Sequence, residues 1–241
     1  MRAETRHSLK EDKFSKATIS FAENTMEWTT EHQNALIVAA VVLLVIVAAV
    51  AGVWYHFNQQ DQKASVDFGQ AIRTFDTPLR PAGMPASPEF PSFGSAQERA
   101  AAAHKQFQAV IDNYPHTHAS DFARYFAGVT ASAMGDNATA ERELKEVSSA
   151  RDKDLAALGK FALASLYRKM NRPKDAIDIY KQLADHPSAS VGKATAQLEL
   201  AGLYRDEHQP LEAKRIYEQL QKENPNTEVA SVASSKLAEL K

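Results

Sequence analysis

The most apolar part of the chain is an unbroken run of nineteen residues, 35–53, without a charged or hydrogen-bonding side chain. Twelve of the nineteen are Val, Leu or Ile, and each of these favours insertion into a bilayer. At about 1.5 Å of rise per residue, a helix of this length spans roughly 28 Å, close to the ~30 Å hydrocarbon core of a membrane. Trp54 and Tyr55 follow directly, where aromatic rings suit the headgroup layer. The pattern predicts a transmembrane helix over residues 35–55.

A cleaved signal peptide is the main alternative for this segment. Its apolar stretch would be about 7 to 15 residues long and close to the N-terminus, whereas the run here is longer and follows a polar tail of 34 residues. An uncleaved signal anchor is favoured, although the small residues at 48–51 resemble a cleavage site and keep the alternative open. The tail carries five basic residues, and roughly the first twenty residues after the span carry two. The positive-inside rule therefore predicts that residues 1–34 are cytoplasmic.

Two different segments follow the span. Residues 56–76 place apolar side chains near helical spacing and predict a juxtamembrane helix. Residues 77–96 contain five prolines, which remove backbone donors and exclude a helix interior, so they predict an extended loop. We interpret this loop as a spacer in preference to a proline-rich partner-binding segment.

The remaining segment, residues 97–241, repeats with a period of 36 or 37 residues. In each period a small residue is followed four positions later by an aromatic residue or leucine, and three positions after that by another apolar residue. The four sets are Ala103, Phe107 and Val110; Ala140, Leu144 and Val147; Ala176, Tyr180 and Leu183; and Ala213, Tyr217 and Leu220. A second series at the same intervals marks a preceding helix in three periods: Gly128 and Ala131; Ala164 and Tyr167; and Ala201 and Tyr204.

Turn-forming residues divide each period into two helical runs. Gly135, Asn171 and Pro210 lie between the first and second runs, and a proline (Pro115, Pro187 or Pro225) closes the second run in three of the four periods. The small residues of the first run lie in mid-helix, where they allow one helix to approach its partner closely. Each unit is therefore predicted to be helix, tight turn, helix and break.

This combination resembles the tetratricopeptide repeat, in which a helical pair carries small and aromatic residues at fixed spacing and ends in a proline. The resemblance implies an all-α fold: a solenoid of about three to four helical hairpins behind the single N-terminal transmembrane helix. The earliest unit shows only its second helix, and residues 61–75 are the candidate for its first helix across the proline-rich loop. Val229 to Leu240 is expected to form the C-terminal capping helix that such arrays need.

Composition and motifs argue against catalysis and nucleic-acid binding. From residue 58 onward the chain carries 23 Lys and Arg against 24 Asp and Glu, whereas a nucleic-acid-binding domain needs a basic face. The sequence has no cysteine and no phosphate-binding glycine loop, nucleophile elbow or HExxH motif. We therefore predict no enzyme, no cofactor and no metal site. His116 and His118 are interpreted as solvated loop residues, and Glu141, Glu143 and Glu146 as a solvated helix face.

A protein-binding groove is the best-supported candidate site. In a tetratricopeptide array the first helix of each unit lines the concave face, so the register predicts which residues meet a partner. They are Tyr125, Phe161, Arg168, Lys169, Leu198 and Arg205. Arg168 and Arg205 occupy equivalent positions 37 residues apart and are candidates to hold a partner carboxylate by charge-assisted hydrogen bonds. Ordinary solvated arginines are the alternative.

The whole layout resembles the YfgM-type ancillary subunit of the bacterial Sec translocon, which has a short basic tail, one signal anchor and a tetratricopeptide domain. This resemblance implies a single-pass protein of the bacterial inner membrane with a cytoplasmic N-terminus and a periplasmic repeat domain. It implies protein partners: translocon subunits, periplasmic chaperones or client chains. An accessory scaffold of a cell-wall or division complex is the alternative function. The sequence leaves the oligomeric state open.

Overall fold

The computed structural model of the chain describes residues 33–81, 83–85 and 92–240. These residues form nine α-helices and no strand, with one isolated bridge between Leu79 and Phe93. The prediction of an all-α fold is therefore confirmed. Positions 1–32 of the predicted tail, residues 1–34, lie outside the described residues.

The nine helices of the described residues follow one another with short connections, apart from the longer loop after the first. They are α1 (Gln33–Phe75), α2 (Ala96–Asn113), α3 (His118–Met134), α4 (Asn137–Ser148), α5 (Lys153–Lys169), α6 (Pro173–Asp185), α7 (Lys193–Asp206), α8 (Pro210–Glu223) and α9 (Glu228–Glu239). The described residues divide into two compact units, one that ends at Asn58 and one that begins at Gln59.

The apolar part of α1, in the first unit, is not buried by other described residues. Val38 is 62% exposed, and Leu44 and Trp54 are each 68% exposed. The core helix of a soluble domain would instead bury such side chains. Among the described helices, α1 is long and apolar enough to cross a membrane.

In the second unit, each helix from α2 to α9 packs against the next one along the chain, and α3 also contacts α5. The core lies between these helices at the positions that the repeat predicts. All twelve residues of the predicted repeat sets are at most 3% exposed: Ala103, Phe107, Val110, Ala140, Leu144, Val147, Ala176, Tyr180, Leu183, Ala213, Tyr217 and Leu220. The predicted register is therefore confirmed. It assigns α3, α5 and α7 as first helices and α4, α6 and α8 as second helices.

The end of α1 completes the earliest repeat within this second unit. Phe68 and Phe75 pack on the cluster that contains Phe107 of α2 and Ala127 of α3, and Ala71 is fully buried there. In the later repeats the small residue of the first helix precedes the alanine of the second helix by 12 positions, as in Ala164 and Ala176. Ala71 precedes Ala103 by 32 positions. The proline-rich loop is therefore an insertion of 20 residues between the two helices of the first hairpin.

The two ends of the inserted loop are joined by backbone hydrogen bonds. The Arg80 amide donates to the Phe93 carbonyl at 2.7 Å, and the Phe93 amide donates to the Pro78 carbonyl at 3.2 Å. The side chain of Arg99 in α2 also donates to the Thr77 carbonyl at 3.0 Å. These contacts hold both ends of the loop beside α2; residues 82 and 86–91 lie outside the described residues.

The turns between first and second helices share one backbone conformation. Gly135, Asn171 and His208 occupy equivalent repeat positions, and all have positive φ values of 86°, 57° and 57°. Glycine and asparagine tolerate this left-handed region best. Pro173 and Pro210 then occupy the first turn of α6 and α8, where a missing backbone donor costs nothing.

The prediction that the acidic residues of α4 form a solvated face is wrong for Glu143. Its side chain is 4% exposed and accepts hydrogen bonds from Arg124 of α3 at 3.1 Å and Arg142 at 2.7 Å. Burying a carboxylate is costly unless it is paired, and the two guanidinium groups provide that pairing. Glu141 is also largely covered, at 19% exposure, whereas Glu146 is 59% exposed as predicted.

Candidate protein-binding surface

We define the groove surface as the side chains of Tyr125, Phe161, Arg168, Lys169, Leu198 and Arg205, which lie on the first helices α3, α5 and α7. Two of these residues, Arg168 and Lys169, connect the helices through hydrogen bonds. Lys169 of α5 donates to the Ser132 carbonyl of α3, and Arg168 of α5 contacts Asp206 and Glu199 of α7. The first helices of successive repeats therefore lie side by side, as the register predicts.

The apolar members of the groove surface are half-buried. Tyr125, Phe161 and Leu198 occupy equivalent repeat positions and pack at the edge of the core. The Phe161 ring meets the fully buried Tyr180 ring edge-on, with ring centroids 5.6 Å apart. Burial also raises the pKa of the Tyr125 hydroxyl above its ordinary value. These side chains are anchored on one side and partly solvated on the other, so they are placed to contact a partner without leaving the core.

The basic members of the groove surface are paired with acidic residues. The Arg168 Nη1 lies 3.3 Å from the Glu199 Oε2, and the Arg168 Nη2 contacts the Asp206 Oδ2. The Arg205 Nη2 lies 3.0 Å from the Asp206 Oδ1, and the Arg205 Nη1 lies 3.4 Å from the Glu239 Oε2. A chain of ion pairs thus runs from α5 through α7 to α9.

Asp206 is the central residue of this chain because it accepts hydrogen bonds from both arginines. Partial burial opposes its ionisation, but the hydrogen bonds from Arg168 and Arg205 outweigh that effect and hold the pKa of its carboxyl group below the ordinary value. The hydrogen bond to Asp206 likewise raises the pKa of Arg205. The Asp206 carboxylate is therefore ionised near neutral pH.

The register placed Arg168, Arg205 and Asp206 on the groove, but the pairing of the arginines with acidic residues was not predicted. Glu199 is one residue after the predicted Leu198, and Asp206 is one residue after Arg205. Glu199 and Asp206 are seven residues apart and so share one face of α7, next to the face that carries Leu198 and Arg205. The sequence could not show that two guanidinium groups from different repeats meet one carboxylate, because this depends on side-chain conformation.

Two other concavities lie at the ends of the helices, away from the groove surface. One, of about 800 Å³, is lined by residues such as Lys153, Lys160 and His186. The other, of about 760 Å³, includes His116, His118 and Arg124 in its lining. No group of three potential metal ligands occurs within the described part of the chain. Both concavities carry charges of mixed sign, so neither suggests a particular ligand.

The sequence matches the model of a known protein family. A family described as "Tetratricopeptide repeat-like domain" matches residues 26–182. The chain belongs to this family. The match covers more than half of the chain and begins before the apolar part of α1, so the tetratricopeptide repeat-like region includes the candidate membrane helix. It ends within α6, whereas the structure continues the same register through α7 and α8. No curated protein matches the chain.

Tetratricopeptide repeat-like domains are typically non-catalytic scaffolds for protein–protein interaction. Their repeats stack into an extended surface instead of enclosing a small cavity. The groove surface has this character, since its half-buried apolar side chains and its ion pairs are distributed over three consecutive first helices. The family and the geometry together indicate a protein-binding function.

Proposed function

We propose that the protein is a membrane-anchored scaffold whose groove surface binds protein partners on the periplasmic side of a bacterial inner membrane. In this role it assists export or chaperone handover at the Sec translocon, and the role requires no catalytic step of its own. Its partners are translocon subunits, periplasmic chaperones or client chains. The observation that carries the proposal is that one chain joins an unburied apolar helix to a tetratricopeptide array.

The apolar helix supports the membrane part of the proposal. Its side chains are exposed in the described structure, and a bilayer would provide the environment that covers them. Trp54 and Tyr55 lie where that environment would end. The basic residues of the N-terminal tail support an orientation with the tail in the cytoplasm and residues 59–241 outside it.

The groove surface supports binding of a polypeptide more than binding of a small metabolite. Its contacts extend over α3, α5 and α7, as suits an extended or helical segment. Each individual contact is weak because the apolar side chains are half-buried and the charges are already paired. Holding both proteins at one membrane raises their effective concentration and so compensates for a weak groove.

Co-purification from native membranes tests this proposal. The double variant Arg168→Gln and Arg205→Gln alters the groove surface, and Arg151→Gln with Arg215→Gln is the matched control on exposed sites outside it. We expect the groove variant to lose most of its cross-linked partners and the control to retain them, with equal helix content by circular dichroism. Equal recovery from both variants would contradict binding through the groove surface.

Two further results of the same experiment separate the alternatives. Translocon or chaperone components among the recovered partners would support the export role, whereas cell-wall or division proteins would support an envelope-complex scaffold instead. Replacing residues 35–53 by an unrelated transmembrane sequence tests the anchor. If this replacement alone abolished recovery, the membrane helix and not the groove would make the main contact.

The orientation is tested by protease accessibility. Protease added outside intact spheroplasts should degrade residues beyond about 58 and leave the N-terminal tail protected, because the basic tail is expected inside. Protection of the repeat domain would contradict the orientation. A mature N-terminus near Gly52 would show instead that the apolar helix is a cleaved signal peptide.

A further inference from the structure

Two guanidinium groups of the groove surface, from neighbouring repeats, converge on one carboxylate. Arg168 extends from α5 and Arg205 from α7, and both donate hydrogen bonds to Asp206. The two arginines occupy equivalent positions in their repeats, 37 residues apart. The structure therefore shows that this pair of arginines is spaced to hold a carboxylate between them, and that the carboxylate now held belongs to the chain itself.

We propose that Asp206 is an internal stand-in for a partner's carboxylate and masks Arg168 and Arg205 until an acidic segment displaces it. This inference rests on the proposed function, because it concerns how the groove surface selects its partner. The partner segment carries Asp or Glu beside apolar side chains, since Phe161 and Leu198 lie on the same helices as the two arginines. Binding exchanges one carboxylate for another and leaves the charge balance of the arginines unchanged.

The position of Asp206 in its helix supports this assignment. Asp206 is the last residue of α7, where the negative end of the helix dipole disfavours a carboxylate. The equivalent last residue of α5 is Lys169, whose charge suits a helix C-terminus and which donates to the Ser132 carbonyl. The two arginines are therefore the groups that favour an acid at position 206.

The accessibility of the ion pairs makes the exchange feasible. The side chains of Arg168, Arg205 and Asp206 are 34%, 33% and 37% exposed. Ion pairs with this much contact with water contribute little net stability, because solvent screens them and the side chains lose entropy on pairing. An incoming carboxylate can reach the arginines from solvent, and the displaced Asp206 can return to water.

Glu199 and Glu239 explain why displacement of Asp206 does not leave the arginines unsupported. Glu199 contacts Nη1 of Arg168 and Glu239 contacts Nη1 of Arg205, whereas Asp206 contacts Nη2 of each arginine. These two acids orient the guanidinium groups separately, whereas Asp206 is the one described residue that pairs with both of them. Removing the charge of Asp206 should therefore expose the arginines without removing the groups that position them.

A peptide-binding assay tests this proposal. The probe is a fluorescein-labelled synthetic peptide of Glu, Leu and Ala, and its binding to the purified full-length chain in detergent is measured by fluorescence anisotropy. The control peptide has Gln in place of Glu. We expect Asp206→Asn to bind the acidic peptide about tenfold more tightly than the wild type, and the Gln peptide with unchanged affinity. Adding Arg168→Gln and Arg205→Gln to the Asp206→Asn variant should abolish the gain.

Glu207→Gln is the matched control, because it removes one negative charge at the next position and Glu207 forms no ion pair among the described residues. It should bind the acidic peptide as the wild type does. Unchanged or weaker binding by Asp206→Asn, or an equal gain from Glu207→Gln, would overturn the masking role. If Asp206→Asn lost helix content, Asp206→Ala provides a second variant with the same gain expected, because it also removes the masking carboxylate and alanine has the highest helix propensity.

Failure of the masking role can be distinguished from failure of the proposed function. Loss of partner recovery in the Arg168→Gln and Arg205→Gln variant, with no peptide gain in Asp206→Asn, would retain groove binding and reject the masking role. Unchanged partner recovery in that groove variant would reject groove binding whatever the peptide result.

Discussion

The ring of Phe68 packs against the ring of Phe107, with ring centroids 5.9 Å apart. Phe68 lies in the last part of α1, and Phe107 lies in α2 beyond the 20-residue insertion. Phe126 of α3 meets both rings, at 5.8 Å from Phe68 and 5.2 Å from Phe107. Residues 59–75 are therefore part of the repeat domain and not only a connection to the membrane.

This contact predicts where a stable soluble fragment must begin. A fragment of residues 59–241 retains Phe68 and Phe75, whereas a fragment of residues 97–241 exposes the faces of Phe107 and Phe126 that they cover. We expect the longer fragment to be more stable to urea by about 3 to 5 kcal/mol, the scale of losing a large buried aromatic contact. Equal stability of the two fragments would show that residues 59–75 do not belong to the domain core.

Two helical glycines provide a matched test of the helix packing. Gly159 of α5 is buried against α4, and an added Cβ would lie 2.7 Å from Val147 Cγ1 and 2.9 Å from the Ser148 backbone nitrogen. Gly202 of α7 has no atom within 4 Å of such a Cβ. Gly159→Ala should destabilise the fold by about 1 to 3 kcal/mol because backbone atoms must shift.

Gly202→Ala should instead stabilise the fold by up to ~1 kcal/mol, because alanine has the higher helix propensity and no neighbour obstructs it. Thermal and urea unfolding of both variants in the 59–241 fragment measure the difference. A stabilising Gly159→Ala substitution would contradict the close approach of α4 and α5.

Glu141 should make the stability of the domain depend on pH. The hydrogen bond from Lys145 is the largest cause, and together with those from Tyr167 and Arg172 it lowers the pKa of the Glu141 carboxyl group from 4.5 to about 2. A lowered folded-state pKa stabilises the fold above the unfolded-state pKa, and this contribution is lost as the pH falls through the folded-state pKa. The loss should therefore occur between about pH 4.5 and 2.

Urea unfolding of Glu141→Gln measures this contribution. At pH 7 the variant should be less stable than the wild type by roughly 1 to 2 kcal/mol, after allowance for solvent screening of the partly exposed group. The difference should shrink progressively below about pH 4.5. Glu218→Gln is the control, since Glu218 is 57% exposed and its Lys214 contact is 3.7 Å long. A difference that stayed constant with pH would show that the ion pairs of Glu141 are not its cause.

The sequence predicted the repeat core well because the core depends on spacing. Tyr180 and Tyr217 recur 37 residues apart, and both are buried at the same position of successive second helices. A repeated backbone gives each equivalent residue an equivalent environment, so one register locates all four sets. The apolar run of α1 was equally evident, because its length and composition alone distinguish it from an amphipathic helix.

Charge pairing could not be predicted in the same way. Glu143 is buried because Arg124, 19 residues earlier, reaches it across the α3–α4 contact. Asp206 meets Arg168 across 38 residues and between two repeats. Both contacts depend on the conformations of long side chains, which periodicity does not specify. The joined ends of the inserted loop, Leu79 and Phe93, are also outside the repeat pattern and were not predicted.

Site-specific photo-cross-linking in native membranes tests the central claim, that the first helices of the repeats bind a protein partner, most directly. A photoreactive amino acid is placed at Ser165 or Gly202, on α5 and α7 beside the groove surface, or at the exposed control positions Lys174 and Lys222 on second helices. Gly202 has open space for the added side chain. We predict that both groove positions form adducts with the same partner protein and that neither control position does. Adducts from Lys174 and Lys222, or only from a probe in the apolar part of α1, would contradict the claim.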